Sequence, residues 1–504
     1  RRAPLLLPGM FSTPLYFMGG GASGNSSIGG VGGRSGGAGV RLLDVMDFFF
    51  VAHPSSGAKE GRESQRVMFF HPKEEQIGKQ TEITGFAEAI VNFTANFVQH
   101  NETVQTEEVF PYRDVVTAKS VHVYILVEGG AFIFGVALNK KACLDMDYAL
   151  FKPALRAFVG DSYRMWRLFS GELQPLLQRE GPDQLRKALT CFFERYFDGY
   201  RLFQMPLLDF FRGVHFLKLP VLNDIDSLLC ELREEFPTIK KVLFLYQDKM
   251  LYYSVSKRDL PLLFRYLTQR VLPQALQSEL VPSTVVARPS SAPGKFVLGP
   301  EDIVTDEPLS PGDVTTLFLA NDDEPPFRLT KHHLIAYRSL NAMVCAFTDE
   351  EVSRRLLRDL DRFLSTELSK LASVIADKYS RMPSETRAGE TDFHFIYFSP
   401  PTLSLRTNFC DPATNGAPPV PAPVVRLACE TFEKLLLSGE RFGDCNIRTD
   451  LDWWIVYKKA SSREATDRCL LLFLPPSSSL STVSEVQDRV QQIINTYFGD
   501  IFIV

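Results

Sequence analysis

Nowhere in this 504-residue chain does an apolar run reach the roughly 18–20 residues that a helix needs to cross a bilayer. The opening RRAPLLLPG starts with charge, but Pro4 and Pro8 break it early, so no secretory signal peptide is expected. Membrane work, if there is any, is expected to be peripheral. A large excess of one charge sign is also missing. Lys and Arg number 55 against 60 Asp and Glu, for a net charge of -5, which speaks against a nucleic-acid binder. The eight cysteines form no CxxC pair, and several, such as Cys345 in AMVCAF and Cys469 in RCLLLFL, sit inside apolar runs. That pattern predicts free, buried thiols in a reducing compartment rather than a disulfide framework.

Constellations that carry covalent chemistry are scarce as well. The Gly-rich stretch 19–39 is not preceded by a strand and not followed by Gly-Lys-Ser/Thr, so it does not read as a phosphate loop. A kinase signature set is absent. NDDEPP at 321–326 lacks the spaced oxygen ligands of a calcium loop. His53 and His71 each precede a proline at a strand end, and a hairpin between them is expected to bring them near each other. No Cys or acidic partner stands at zinc-ligand spacing, however. His394 alternates with Phe393 and Phe395 and is expected to face solvent or an interface. No catalytic, cofactor-binding or metal-binding residues are therefore assigned, and no cofactor is expected.

What the chain does have is 40 phenylalanines and a repeated order of elements. Residues 1–41 are Gly-rich and too poor in apolar side chains to offset their ordering entropy, which predicts a flexible segment dispensable for activity in solution. From Leu42 the pattern reads strand, strand, helix, three strands, then helices to about 213. In the helix at 76–98, Ile83, Phe86, Ile90, Phe93 and Phe97 recur at three and four residues and are read as its core stripe. The same order returns over 214–380, where Thr348 and Glu351 have capping-box spacing. It appears a third time over 391–504, where Thr482 and Glu485 share that spacing. The fold class is thus α/β of the α+β type: three domains, each a five-stranded antiparallel sheet packed with helices. Trp453 and Trp454 must face opposite sides of one strand, each needing a cover from helix or partner.

Several blocks resemble a known family. FFFVAHPSSGAKEGRESQRVMFFHP at 48–72 and GFAEAIVNF at 85–93 look like the first hairpin and first helix of the vacuolar-fusion family named for calcium-caffeine-zinc sensitivity. The stretch 218–273, HHLIAYRSLNAMVCAF at 332–347 and DWWIVYKK at 452–459 are similar to later blocks of that family. The resemblance implies three longin-like domains at 42–213, 214–380 and 391–504. It implies a heterodimer with the monensin-sensitivity longin subunit, acting as guanine-nucleotide exchange factor on a late-endosomal Rab GTPase. The nucleotide-free Rab is the preferred form, and the chain alone is expected to have little exchange activity. A third regulatory subunit and contact with anionic endosomal membrane are further implications. So is a cytoplasmic chain recruited peripherally to late endosome, lysosome or vacuole, and autophagosome. The first domain is expected to face partner and Rab. On the 76–98 helix the small residues Ala87, Val91 and Thr94, one step round from the large stripe, are the expected partner-binding positions, because small side chains allow close approach. A non-catalytic trafficking adaptor, or an effector that binds only the GTP form, fits the same composition.

Overall fold

The computed structural model describes residues 39–94, 110–280, 294–300, 303, 308–310, 312–321, 328–381, 391–409, 417–438, 444–460 and 468–498. Residues 1–38, Phe97, all but Phe110 of the strand expected at 105–110, NDDEPP from Asp322 on and the closing DIFIV lie outside them. Val40 and Arg41, at the end of the Gly-rich segment, pair antiparallel with Leu202 and Arg201.

The first unit contains β1 (Met46–Ala52), β2 (Val67–His71), α1 (Ile77–Thr94), β3 (Tyr112–Val116), β4 (Ser120–Val127) and β5 (Phe132–Asn139). It continues with α2 (Lys152–Ser170), α3 (Leu173–Glu180), α4 (Pro182–Phe197) and α5 (Pro206–Phe211). In the second are α6 (Leu222–Glu235), β6 (Ile239–Tyr246), β7 (Lys249–Tyr253), α7 (Leu260–Tyr266) and α8 (Leu272–Leu280). β8 (Gly294–Leu298), β9 (Thr315–Ala320), β10 (Leu329–Ser339), β11 (Ala342–Thr348) and α9 (Arg354–Ser380) complete it. The third has β12 (His394–Ser399), β13 (Ser404–Thr407), α10 (Ala422–Ser438), β14 (Cys445–Arg448), β15 (Trp454–Ala460), β16 (Arg468–Leu474) and α11 (Val483–Tyr497).

One topology occurs three times. The sheets run β2-β1-β5-β4-β3, β7-β6-β11-β10 and β13-β12-β16-β15-β14, all antiparallel. In the middle sheet β8 and β9 share the outer position. β8 pairs with Ala336–Ser339 and β9 with Leu329–Leu334, consecutive lengths of the same edge of β10. That sheet therefore has six strands in five positions. In each unit the first strand lies between the second and the last, so the connection through the helix runs across one face.

Alternation along the strands gives each sheet two apolar faces, and helices cover both. In the first unit Phe49, Phe134, Phe158, Phe193 and Phe197 meet under α2 and α4, and Trp166 is fully buried with them. Gly160 lies inside α2 without interrupting it, and the helical region breaks at Gly171 and Gly181, both with positive φ. The core continues without a gap into the second unit, through Leu243, Met343, Phe347 and Leu263. The opposite face of the middle sheet is closed by Leu228 and Leu232 of α6 and Leu360, Leu364 and Leu368 of α9. In the third unit Trp453 packs on the α10 side and Trp454 on the α11 side, so both tryptophans are covered by their own chain. His394 is also buried, stacked on Phe409 with Nε2 2.9 Å from the Pro418 carbonyl, not turned to solvent as its alternation with Phe393 and Phe395 had implied.

A short extended segment sews the second and third units together. Val214 donates to Leu403 O at 2.7 Å and accepts from Leu405 N at 2.9 Å. Two residues on, Met250 N donates to His215 O at 2.7 Å and Leu217 N to Met250 O at 2.9 Å. The segment thus bridges the outer edges of β13 and β7 at once, covering each at one position. Gly213 makes the crossing possible, because a Cβ there would sit 2.3 Å from Leu405 Cβ.

Candidate functional site

Among the described residues, the first sheet carries a single helix on one face. Phe48, Phe50, Phe70, Tyr124, Ile133 and Ala137 project there, and α1 lies on them. These rings fill most of the space between sheet and helix. Gly135 leaves room for two of them, since a Cβ would fall 2.3 Å from Phe50 Cε1 and 2.9 Å from Tyr124 Cδ1. With the sheet supplying the bulk, the helix can approach only through small residues. Thr84 and Ala87 are fully buried and Val91 is 7% exposed. Thr84 returns its hydroxyl to Gln80 O at 2.9 Å, so no polar atom is stranded at the contact. Arg66, beside β2, holds the helix by an ion pair to Glu88 at 2.6 Å, and its guanidinium lies 3.3 Å from the Cβ position of Gly85. At the other end Arg113 of β3 donates to Thr94 Oγ1.

The helix is therefore turned relative to the sequence-based expectation. Ala87 and Val91, expected to face outward, seat the helix on its own sheet, and Thr94 is half-buried at its end. Of the expected core stripe, Phe86 is 46% and Phe93 72% exposed, while Ile83 and Ile90 are intermediate. Ile77 at the helix start is 58% exposed. The outward face thus carries Phe86 and Phe93. From Gly85 to Thr94 the only charged side chain is Glu88, already engaged by Arg66. Large exposed apolar side chains with little charge between them mark an interaction surface more than a solvated one.

Below the helix, His122 joins Ser120 Oγ at 2.8 Å through Nε2 and Tyr124 OH at 2.9 Å through Nδ1, with its ring edge-on to Phe48. Burial lowers its pKa more than Asp47 raises it, which favours the neutral ring. His53 and His71 do not come together. His53 N pairs with Arg66 O, whereas His71 stands opposite Phe49, four residues along β1, or about 13 Å at the strand rise. His53 instead holds Ser56 Oγ at 2.7 Å and packs on Phe132, and His71 lies edge-on to Phe197. Among the described residues no group of three or more His, Cys, Asp or Glu side chains could hold a metal ion, and no helix is long and apolar enough to cross a membrane.

Comparison with known proteins gives this geometry a context. Residues 46–171, which hold the first sheet, α1 and α2, match the family described as the first longin domain of INTU, CCZ1 and HPS4. Residues 239–369 match Intu longin-like domain 2. A vacuolar fusion protein CCZ1 homolog from Nematostella vectensis is 26% identical over 471 residues, covering 90% of this chain and 97% of that protein. The homolog from Xenopus tropicalis is 25% identical over 92% of this chain and 98% of its own length. That from Dictyostelium discoideum is 20% identical over 92% and 99%.

Proposed function

The chain belongs to the CCZ1-type longin proteins, and from that premise we infer that it is one subunit of a heterodimeric guanine-nucleotide exchange factor. The factor activates a late-endosomal Rab GTPase during endosome maturation, vacuole or lysosome fusion and autophagy. The partner is the monensin-sensitivity longin subunit, and a third regulatory subunit joins the pair. The modules at 42–213, 214–380 and 391–504 divide the work. The first faces partner and Rab, while the other two serve assembly and recruitment from the cytoplasm to anionic membranes of late endosome, lysosome or vacuole, and autophagosome.

Exchange of this kind needs no nucleophile or general base from the factor. A GTPase holds its nucleotide through phosphate and magnesium contacts. A factor that binds the nucleotide-free conformation better than the loaded one shifts the population and lets nucleotide leave. What it must offer is a firm surface with apolar anchors. The observation that carries the reading is the outward face of α1, where Phe86 and Phe93 are exposed. Ala87, Val91 and Thr94 support that surface from behind by fixing the depth and end of the helix.

The test replaces Phe86 and Phe93 together by Asp in the full chain. Both are exposed, so the melting temperature should hold, while co-purification with the partner subunit or exchange on the Rab should fall at least about tenfold. A folded double variant with unchanged pairing and unchanged exchange would remove α1 from the functional surface. Tighter binding to GTP-loaded than to nucleotide-free Rab would instead make the chain an effector.

A further inference from the structure

Thr84, Ala87 and Val91 are the residues that α1 buries. Side chains this small fix how deep the helix lies, but they remove little apolar area and grip it weakly along its length. Its angle is left to polar contacts, Arg113 at Thr94 and Arg66 near mid-helix. Arg66 ends the connection between β1 and β2 and reaches Glu88 at 2.6 Å. The two side chains are 14% and 27% exposed, withdrawn enough from water for salt to screen the pair less than one on the open surface.

Arg66 is itself held in place. Its carbonyl accepts from His53 N at 2.8 Å, which closes the base of the connection. Its Nε donates to Glu63 O at 3.0 Å, which aims the guanidinium at the helix. Behind it, a Cβ on Gly57 would fall 2.9 Å from Arg66 Cβ. In front, the Cβ position of Gly85 on α1 lies 3.3 Å from Arg66 Nη1. The arginine thus runs between two glycines. Arg186 of α4, from the other side of the sheet, holds the backbone on either side of it. Nη2 donates to Gln65 O at 2.8 Å and Nε to Val67 O at 3.1 Å. Asp183 in turn holds Arg186 at 2.9 Å. One path of polar contacts therefore runs from α4, through residues 65–67 at the sheet edge, to α1.

That path ends under the exposed face. Phe86 adjoins Gly85 and stands two residues before Glu88, so the ion pair holds the turn of helix that presents Phe86. We propose that Arg66 is a positioning residue for nucleotide exchange: braced by Arg186, it sets the angle at which α1 offers Phe86 and Phe93. The inference rests on α1 being the surface that meets partner and Rab. A factor that works by fitting one GTPase conformation better than another needs that surface held firmly, since a helix that yields discriminates less between the two. Loss of the brace therefore weakens what the face does while the fold stands.

The test places para-fluorophenylalanine at Phe86 of the full chain, paired with its partner subunit. It follows the fluorine resonance, the melting temperature and release of fluorescent nucleotide from the Rab. Arg66→Gln should shift or broaden the resonance and slow release at least about fivefold at an unchanged melting temperature. Glu88→Gln cuts the same contact from the helix side and should do the same, and the two together should cost no more than either alone. Arg66→Glu combined with Glu88→Arg should recover most of the rate. Unchanged release in Arg66→Gln, where Phe86→Asp with Phe93→Asp abolishes it, would overturn the positioning role and leave α1 as the functional surface. Slower release matched by a fallen melting temperature, with the resonance unmoved, would make Arg66 a structural residue only and overturn the role as well. Unchanged release in the Phe86 and Phe93 double variant would remove the functional surface and the positioning role together.

Discussion

Two glycines state the packing argument in its sharpest form. Gly135 and Gly213 are each in a place where the first carbon of any side chain meets a neighbour at 2.3 Å. At Gly135 the neighbours are the rings of Phe50 and Tyr124, fully buried between sheet and α1, so neither can swing away. Gly135→Ala should lower stability by about 1–3 kcal/mol, the usual cost of overpacking, and should loosen α1 first. Chemical denaturation followed by near-ultraviolet dichroism reads both effects, and an unchanged midpoint would contradict the packing described for this face. The same face explains what the sequence could not disclose. Ile83, Phe86, Ile90 and Phe93 form the larger stripe on α1, and size alone makes them the core. The inward side is decided by Phe48, Phe50, Phe70 and Tyr124, which come from three different strands and leave only a shallow gap. Periodicity within the helix carries no information about how much space the sheet has already filled. Ala87 and Val91 were legible as a distinct small-residue stripe, but which way that stripe faced was not.

Among the elements, local signals were readable where the chain itself completes them. Thr482 caps α11 with both halves of the capping box: Glu485 N donates to Thr482 Oγ1 at 3.3 Å and Thr482 N to Glu485 Oε2 at 2.8 Å. Thr348 and Glu351 show the same spacing without the structure. Ser353 caps α9 instead, accepting from Leu356 N at 3.2 Å, because β11 continues as far as Thr348. Strand pairing with β10 and β6 took the residue that spacing alone assigned to a helix. The α11 cap yields a pH prediction. Backbone and side-chain donors around Glu485 hold its carboxyl below the ordinary Glu range. A depressed folded pKa gives stability present above the unfolded pKa and lost as pH falls through the folded one. Glu485→Gln should therefore fray α11 at neutral pH, seen as faster amide exchange in its first turn, and the difference from the unsubstituted chain should vanish in acid. A difference that persists below the folded pKa would mean that the carboxylate is not what holds the cap.

Across the whole molecule, the repeated strand order was legible because each unit repeats the same sequence of apolar patterns, even without a repeated sequence. What joins the units was not legible. The crossing segment at Gly213–Leu217 and the continuous core from Phe134 to Met343 both depend on residues far apart in the chain. If the crossing segment is as firmly held as its hydrogen bonds imply, the amides of Val214, Leu217, Met250 and Leu405 should exchange as slowly as those of the central strands. Fast exchange at those four, with slow exchange in β6 and β16, would show the second and third units to be loosely tethered. The same welding makes the chain a rigid support for α1, whose outward face belongs to the unit matching the first longin domain. On the function proposed for it, that surface works by fitting a GTPase conformation, and half of a two-subunit surface should do little by itself. The most direct measurement is release of fluorescent nucleotide from the late-endosomal Rab, comparing the reconstituted heterodimer with each subunit alone. The account predicts acceleration by the heterodimer and a rate near the spontaneous one with this chain alone; release by this chain alone at the heterodimer's rate, or none with the heterodimer, would contradict it.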